Sequence, residues 1–125
     1  MKIHLSDGEW KLMDRLWEDG PATITQLTHA LEGDTGWSKH TIITMLSRLE
    51  AKGAVTHHAE GRAKEYAPLL PRQQAEATAT RHFLDKVYGG SLGLMMSTLV
   101  DSRALTQEDI DQLSAILEQA KEESS

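Results

Sequence analysis

The stretch from Trp37 to Lys52, WSKHTIITMLSRLEAK, restricts the fold of this chain more than any other. Ile42, Met45, Leu46 and Leu49 recur at i, i+3, i+4 and i+7, which predicts one apolar stripe on a helix. Ser38 stands where an N-cap belongs, since its hydroxyl can accept from the orphan N–H groups of the first turn. At about 3.6 residues per turn, His40, Thr44, Ser47 and Ala51 fall on the opposite face, flanked by Lys39, Ile43 and Arg48. Short hydroxyl side chains beside basic ones suit a helix that enters a major groove. An ordinary solvated face has the same pattern, so the neighbouring segments decide.

Those neighbours read as two further helices and a hairpin. Ser6 and Glu9 form a capping box, with Leu5 placed to staple onto Trp10. The helix they open carries Trp10, Met13, Leu16 and Trp17 inward and stops at Gly20-Pro21. A second short helix starts at Thr23, with Gln26 three residues on, and buries Ile24, Leu27 and Leu31. Gly33-Asp34-Thr35-Gly36 is a loop by composition. Beyond Gly53, Ala54 to His58 reads as a strand, Glu60-Gly61 as a turn and Lys64 to Ala67 as the returning strand, ended by Pro68. The fold class expected is mainly α with a small β-hairpin: a winged helix-turn-helix over residues 1–70. A two-stranded hairpin is too small to stand alone, so it must pack on the helices.

Residues 71–125 are expected to form a helical dimerisation region. Pro71 opens a helix to Tyr88 with a narrow seam of Ala75, Ala79, Phe83 and Val87. Leu92 to Val100 is apolar on most sides. Leu105 to Asp109 caps a last helix with the stripe Ile110, Leu113, Ile116 and Leu117, and the tail from Lys121 is expected to fray. Three such helices carry more apolar surface than they can bury among themselves. Phe83, Val87, Leu92, Met95, Met96, Leu99, Ile110, Leu113 and Leu117 are the residues expected at a homodimer contact.

Charge supports a nucleic-acid partner for one face only. The net charge is −6. From Trp37 to Lys64, five basic residues stand against two acidic ones, a surplus of three, which leaves −9 on the rest. The residues expected to meet double-stranded operator DNA are Ser38, Lys39, His40, Thr41, Ile43, Thr44, Ser47 and Arg48 of the helix 38–52, with Arg62 and Lys64 of the wing 55–67. The rival is a winged helix used as a protein-interaction module, working through its acidic surface. Such a module has no need of the Lys39, Thr44, Arg48 and Arg62 grouping.

Other chemistry is not indicated. Cysteine is absent, so no disulfide, thiolate metal site or thiol nucleophile exists. His57 and His58 are adjacent on a strand and point to opposite faces, a poor geometry for one metal. Met95-Met96 reads as packing, and Glu108, Asp109 and Asp111 as first-turn charges. With no phosphate loop or nucleophile arrangement, no enzyme, metal or cofactor is expected. The run Leu92 to Val100 is too short to insert in a membrane and the start lacks a signal-peptide core, which gives a cytoplasmic expectation.

The pieces Leu5 to Trp10, Leu16-Trp17, Trp37-Ser38, Thr41-Ile42, Thr44, Arg48-Leu49, Lys52-Gly53 and Tyr66 resemble the penicillinase-repressor family of bacterial winged-helix regulators. Phe83 to Tyr88 and Leu105 to Leu117 extend the resemblance over nearly the whole chain. It implies a homodimer that binds a palindromic operator and represses transcription. In the beta-lactam branch of that family, a membrane sensor-protease leads to cleavage at an Asn-Phe bond in the dimerisation region. The matching position here is Thr98-Leu99, a departure from that pattern. The copper-responsive branch carries a C-terminal cysteine motif, which this chain lacks. His40 and Ile43 occupy positions often basic in the family, which implies the same docking with a different operator preference.

Overall fold

A computed structural model describes residues 2–124. The chain divides into two compact units, the first ending at Thr80 and the second beginning at Arg81. The first unit contains α1 (Asp7–Asp19), β1 (Ala22–Thr23), α2 (Ile24–Thr35), α3 (Lys39–Lys52), β2 (Val55–Glu60), β3 (Ala63–Pro68) and the first half of α4 (Arg72–Tyr88). The remainder of α4, then α5 (Leu92–Asp101) and α6 (Gln107–Ser124), makes the second.

The helix starts follow the capping signals. Ser6 N donates to Glu9 Oε1 at 2.8 Å while Glu9 N donates to Ser6 Oγ at 3.2 Å. Thr23 and Gln26 repeat the reciprocal pair at the start of α2. Thr106 and Asp109 do so for α6, with Asp in the place usually held by Glu. Ser38 Oγ accepts from Thr41 N, as its N-cap position predicts.

The first unit has one core. Leu12, Met13 and Leu16 of α1, Leu27 and Leu31 of α2, and Ile42, Met45, Leu46 and Leu49 of α3 meet Ala54, Val55 and Tyr66 of the wing. The α3 stripe is as the sequence predicts. That of α1 is not: Leu12 is fully buried, while Trp10 and Trp17 are half-buried at the core edge, ring edge to ring face at 5.6 Å. An indole covers more area than the centre of so small a core can take and keeps its N–H toward a partner. Trp17 Nε1 finds one in Leu70 O at 2.9 Å. Ile24 likewise packs at the margin.

Element boundaries and one strand differ from the sequence reading. Residues 33–35 continue α2 instead of forming a loop. Thr35 Oγ1 donates back to Leu31 O at 2.8 Å, and Gly36, at φ +67°, supplies the left-handed cap that a side chain would resist. The hairpin is one part of a three-stranded antiparallel sheet of order β1-β3-β2, because Ala22 pairs with Tyr66 and Thr23 with Glu65. The wing strands also reach further than expected. Glu60 pairs with Ala63, leaving Gly61-Arg62 as a two-residue turn with Gly61 at φ +62°. At the end of the chain α6 continues to Ser124, with Gln119 Nε2 donating to Glu123 Oε1 along it, and Ser125, the last residue of the tail expected to fray, lies outside the described residues.

The second unit is apolar without being buried. No side chain of α5 or α6 is buried. Phe83, Val87, Leu92, Leu94, Val100, Ile110, Ile116 and Leu117 are between 41% and 59% exposed. On α4, Leu84 rather than Phe83 or Val87 is the buried residue, and Ala75 belongs to the core of the first unit.

Candidate nucleic-acid interface

The burial of α3 divides its residues by role. Ile42, Met45, Leu46 and Leu49 are at most 9% exposed. Ser38, Lys39, His40, Ile43, Ser47 and Arg48 are exposed, and Thr41 and Thr44 are half-buried. The helix is therefore held by one face and free on the other. Thr44 Oγ1 donates to His40 O at 3.1 Å and Thr41 Oγ1 lies 3.2 Å from Ser38 Oγ. Both hydroxyls keep acceptor lone pairs, and both methyls remain available for contact.

The fold brings the start of α3 and the wing to one groove. Lys39 and Ile43 line it from α3, Arg62, Ala63 and Lys64 from the wing, Tyr66 from β3, and Thr23, Ile24 and Thr25 from β1 and the start of α2. The groove is open and about 500 Å³ in volume. Arg48 stands two turns further along α3. Thr25 is a wall that the sequence reading did not assign. Its signal was the Thr23–Gln26 capping box, which fixes an N-terminus whose first N–H groups favour an anion.

The ion pairs sort the cations of the first unit. Lys11 pairs with Asp34, Arg15 with Asp19, Lys52 with Glu9, and Arg72 with Asp14 and Glu18. Lys39, Arg48, Arg62 and Lys64 make no ion pair among the described residues, and of the others in this unit only Lys2 shares that state. The unpaired charge is thus gathered on α3 and the wing. Lys52, counted in the local surplus, is occupied elsewhere.

Two internal pairs hold this surface to its support. Glu9, 3% exposed, receives Lys52 Nζ at 2.5 Å, and the same ammonium donates to His4 O at 2.9 Å. Burial pushes the Glu9 carboxyl up. The hydrogen bond from Lys52, those from the Ser6 backbone and hydroxyl, and the charge of Lys52 outweigh it and leave the group below its ordinary value. On the other side, His57 Nδ1 lies 2.5 Å from Glu50 Oε2, tying β2 to the last turns of α3. The His57 ring packs on Tyr66 at 5.3 Å, and burial together with the Glu50 charge raises the Tyr66 hydroxyl above its ordinary value. His58 faces away, 3.4 Å from Glu65, so the two histidines do diverge. Among the described residues no cluster of three or more His, Asp or Glu side chains has the geometry of a metal site.

A three-helix core, a hairpin wing and one helix face set free beside unpaired cations define a winged-helix DNA-binding protein. The chain belongs to the penicillinase repressor family, whose profile matches residues 5–119. It is 33% identical over 117 residues to the penicillinase repressor of Bacillus licheniformis, a match spanning 94% of this chain and 91% of that one. The solution structure of the monomeric form of B. licheniformis BlaI in complex with the blaP half-operator is similar at a TM-score of 0.52 and 34% identity. That likeness covers 59% of this chain and 90% of the other. The crystal structure of MepR, a transcription regulator of the Staphylococcus aureus multidrug efflux pump MepA, shares the fold over 97% of this chain and 81% of its own. Its TM-score is 0.54 and its identity 18%.

Proposed function

We propose that the chain is a homodimeric repressor in which α3 enters the major groove of a palindromic operator and the wing follows the adjacent backbone. The observation that carries this reading is the gathering of unpaired cations. Lys39, Arg48, Arg62 and Lys64 lie on the two elements that a winged helix presents to DNA, while four other cations of the same unit are neutralised by carboxylates. Lys39, Arg62 and Lys64 then neutralise phosphates, aided by the N-terminus of α2 at Thr25. Thr41, Ile43, Thr44, Ser47 and Arg48 present methyls, hydroxyls and one guanidinium to base edges, with Ser38 and His40 at the flank. The half-operator in the BlaI complex supports the choice of partner.

Dimerisation is assigned to the second unit. Helices that bury none of their own apolar side chains in this chain gain stability only from a second surface, and a second copy offers the same one. Phe83, Val87, Leu92, Met95, Met96, Leu99, Ile110, Leu113 and Leu117 supply it. Relief by a membrane sensor-protease, carried over from the beta-lactam branch, would act at Thr98-Leu99. That bond lies within α5, where Thr98 Oγ1 donates to Leu94 O, so cleavage requires the last turns of α5 to unwind. No helix among the described residues is long and apolar enough to cross a membrane. A cytoplasmic location fits a protein that must reach DNA.

The test is selection of duplexes from a randomised library by the full chain, with sedimentation of the complex. The expected product is a palindrome whose half-sites lie a whole number of turns apart, with one turn about 10 base pairs. A chain that enriches no sequence, or that sediments as a monomer at micromolar concentration, overturns the reading.

A further inference from the structure

We infer that Ile43 is a specificity-determining residue that reads the 5-methyl group of a thymine in the major groove. The inference rests on the reading above, since it takes α3 as the element that enters the DNA. The N-terminal residues of a recognition helix are those that reach base edges, and Ile43 is the fifth residue of α3. The other large apolar residues of this helix, Ile42, Met45, Leu46 and Leu49, are at most 9% exposed, whereas Ile43 is 43% exposed. Ile43 shares its face with Lys39 and Ser47, four residues to either side and both exposed. The packing of the first unit does not ask for this side chain. Ile43 belongs neither to the core nor to the apolar residues on its margin, where Ile24 and Trp37 lie. A β-branched residue also adds no helix propensity at an exposed site.

A lone isoleucine on an ordinary surface carries no meaning. This one stands among charges. It lines the groove with Lys39 of its own helix and Arg62 and Lys64 of the wing, none of them ion-paired among the described residues. Cations so placed hold phosphates, and the surface between two rows of phosphates is the edges of the base pairs. In the major groove those edges present ring nitrogens, carbonyl oxygens and amino groups, and one apolar group, the thymine methyl. An isoleucine has no donor or acceptor to offer. Laid over a polar edge, Ile43 strips water from a group that it cannot satisfy. Laid over a methyl, it removes apolar surface from water on both sides. The side chain therefore favours thymine at the position it meets and disfavours the other bases. Thr41 and Thr44 also carry methyls, but they are half-buried and their hydroxyls bond back to Ser38 and His40. Ile43 is the more exposed.

The probe is the duplex that the full chain selects from a randomised library, with its thymines replaced one at a time by uracil. Uracil keeps the base pairing and lacks only the methyl. From the transfer of one methyl-sized group out of water, one such replacement should weaken the parent about threefold to fivefold. Ile43→Ala, which draws the side chain back, should bind the thymine and uracil duplexes equally. Ile43→Val keeps the branch and should retain part of the difference. Melting temperature should stay near the parent's in both variants, and so should the slope of log affinity against log salt, since no charge is removed. If no single uracil weakens the parent, or if Ile43→Ala pays the same penalty as the parent, the inference is overturned while the operator reading stands. An Ile43→Ala that melts well below the parent also overturns it, because Ile43 would then serve the fold. A parent that selects no sequence overturns the operator reading and the inference with it.

Discussion

Arg62→Ala should flatten the salt dependence of DNA binding by an amount that the ion-pair pattern fixes in advance. On the proposed reading three unpaired cations per protomer, Lys39, Arg62 and Lys64, meet phosphates, which makes six in a dimer. Each phosphate neutralised on duplex DNA adds about 0.9 to the slope of log affinity against log salt, so six contacts give about −5.4. Removing Arg62 from both wings leaves four and brings the slope to about −3.6. Between about 50 and 200 mM salt the parent then loses affinity ~2 × 10³-fold and the variant ~150-fold. The assay is fluorescence anisotropy of the selected palindrome and a scrambled duplex, each titrated at several salt concentrations. Lys11→Ala is the control. It removes the same charge, but Lys11 is paired with Asp34 at 3.4 Å on another face, so its slope should equal the parent's. An unchanged slope for Arg62→Ala, or equal flattening by Lys11→Ala, refutes the link between pairing state and DNA contact. Loss confined to one base position would instead make Arg62 a base reader.

Thr44→Ala should leave stability within about 0.5 kcal/mol, because the side chain lies off the core, and weaken specific binding by roughly 1–3 kcal/mol per half-site. Leu46→Ala, at a position with no exposed surface, should instead cost about 2–5 kcal/mol of stability; melting and binding on both variants check the division, and an early-melting Thr44→Ala contradicts it. The lowered Glu9 carboxyl gives stability that is present above the ordinary glutamate range and lost as pH falls through its depressed folded value. Glu9→Gln should therefore melt earlier than the parent at pH 7 by about 1–3 kcal/mol, and the gap should close toward pH 3; a gap that persists unchanged at acid pH rejects the assignment. Leu92→Asp combined with Ile116→Asp should yield a monomer in sedimentation with the fold of the first unit intact by circular dichroism, and a surviving dimer would move the interface elsewhere.

The parts of the fold legible in the sequence are those specified by neighbours in the chain. The α3 stripe and the caps at Ser6, Thr23, Ser38 and Thr106 each involve residues three or four apart, and each appears where the spacing puts it. The winged helix followed from their order. What escaped depends on distant partners. A two-residue strand at Ala22 has no period to detect and exists only because β3 lies beside it. Leu12 displaced the tryptophans because a core this small has room for a leucine where it has none for an indole. Glu9 reads as a first-turn charge until Lys52 arrives, 43 residues along the chain. The same holds for the interface. The sequence supplied the basic residues, but which of them are neutralised is a tertiary fact, and it separates Lys52 from Lys39.

The pairing of β1 with β3 also has a consequence for synthesis. Ala22 and Tyr66 are partners across 44 residues of chain, so the sheet that braces the wing is among the most non-local features of the first unit. Loop-closure entropy delays such contacts relative to helices, whose bonds are four residues long. A nascent chain that has emerged from the ribosome only as far as α3 can form its helices but has no strand to receive β1. It exposes the polar face of α3 without the wing cations that accompany it. The wing's share of DNA affinity should therefore arise only once Tyr66 has cleared the exit tunnel, and the affinity of a paired reading head later still, after the helices that follow have been made.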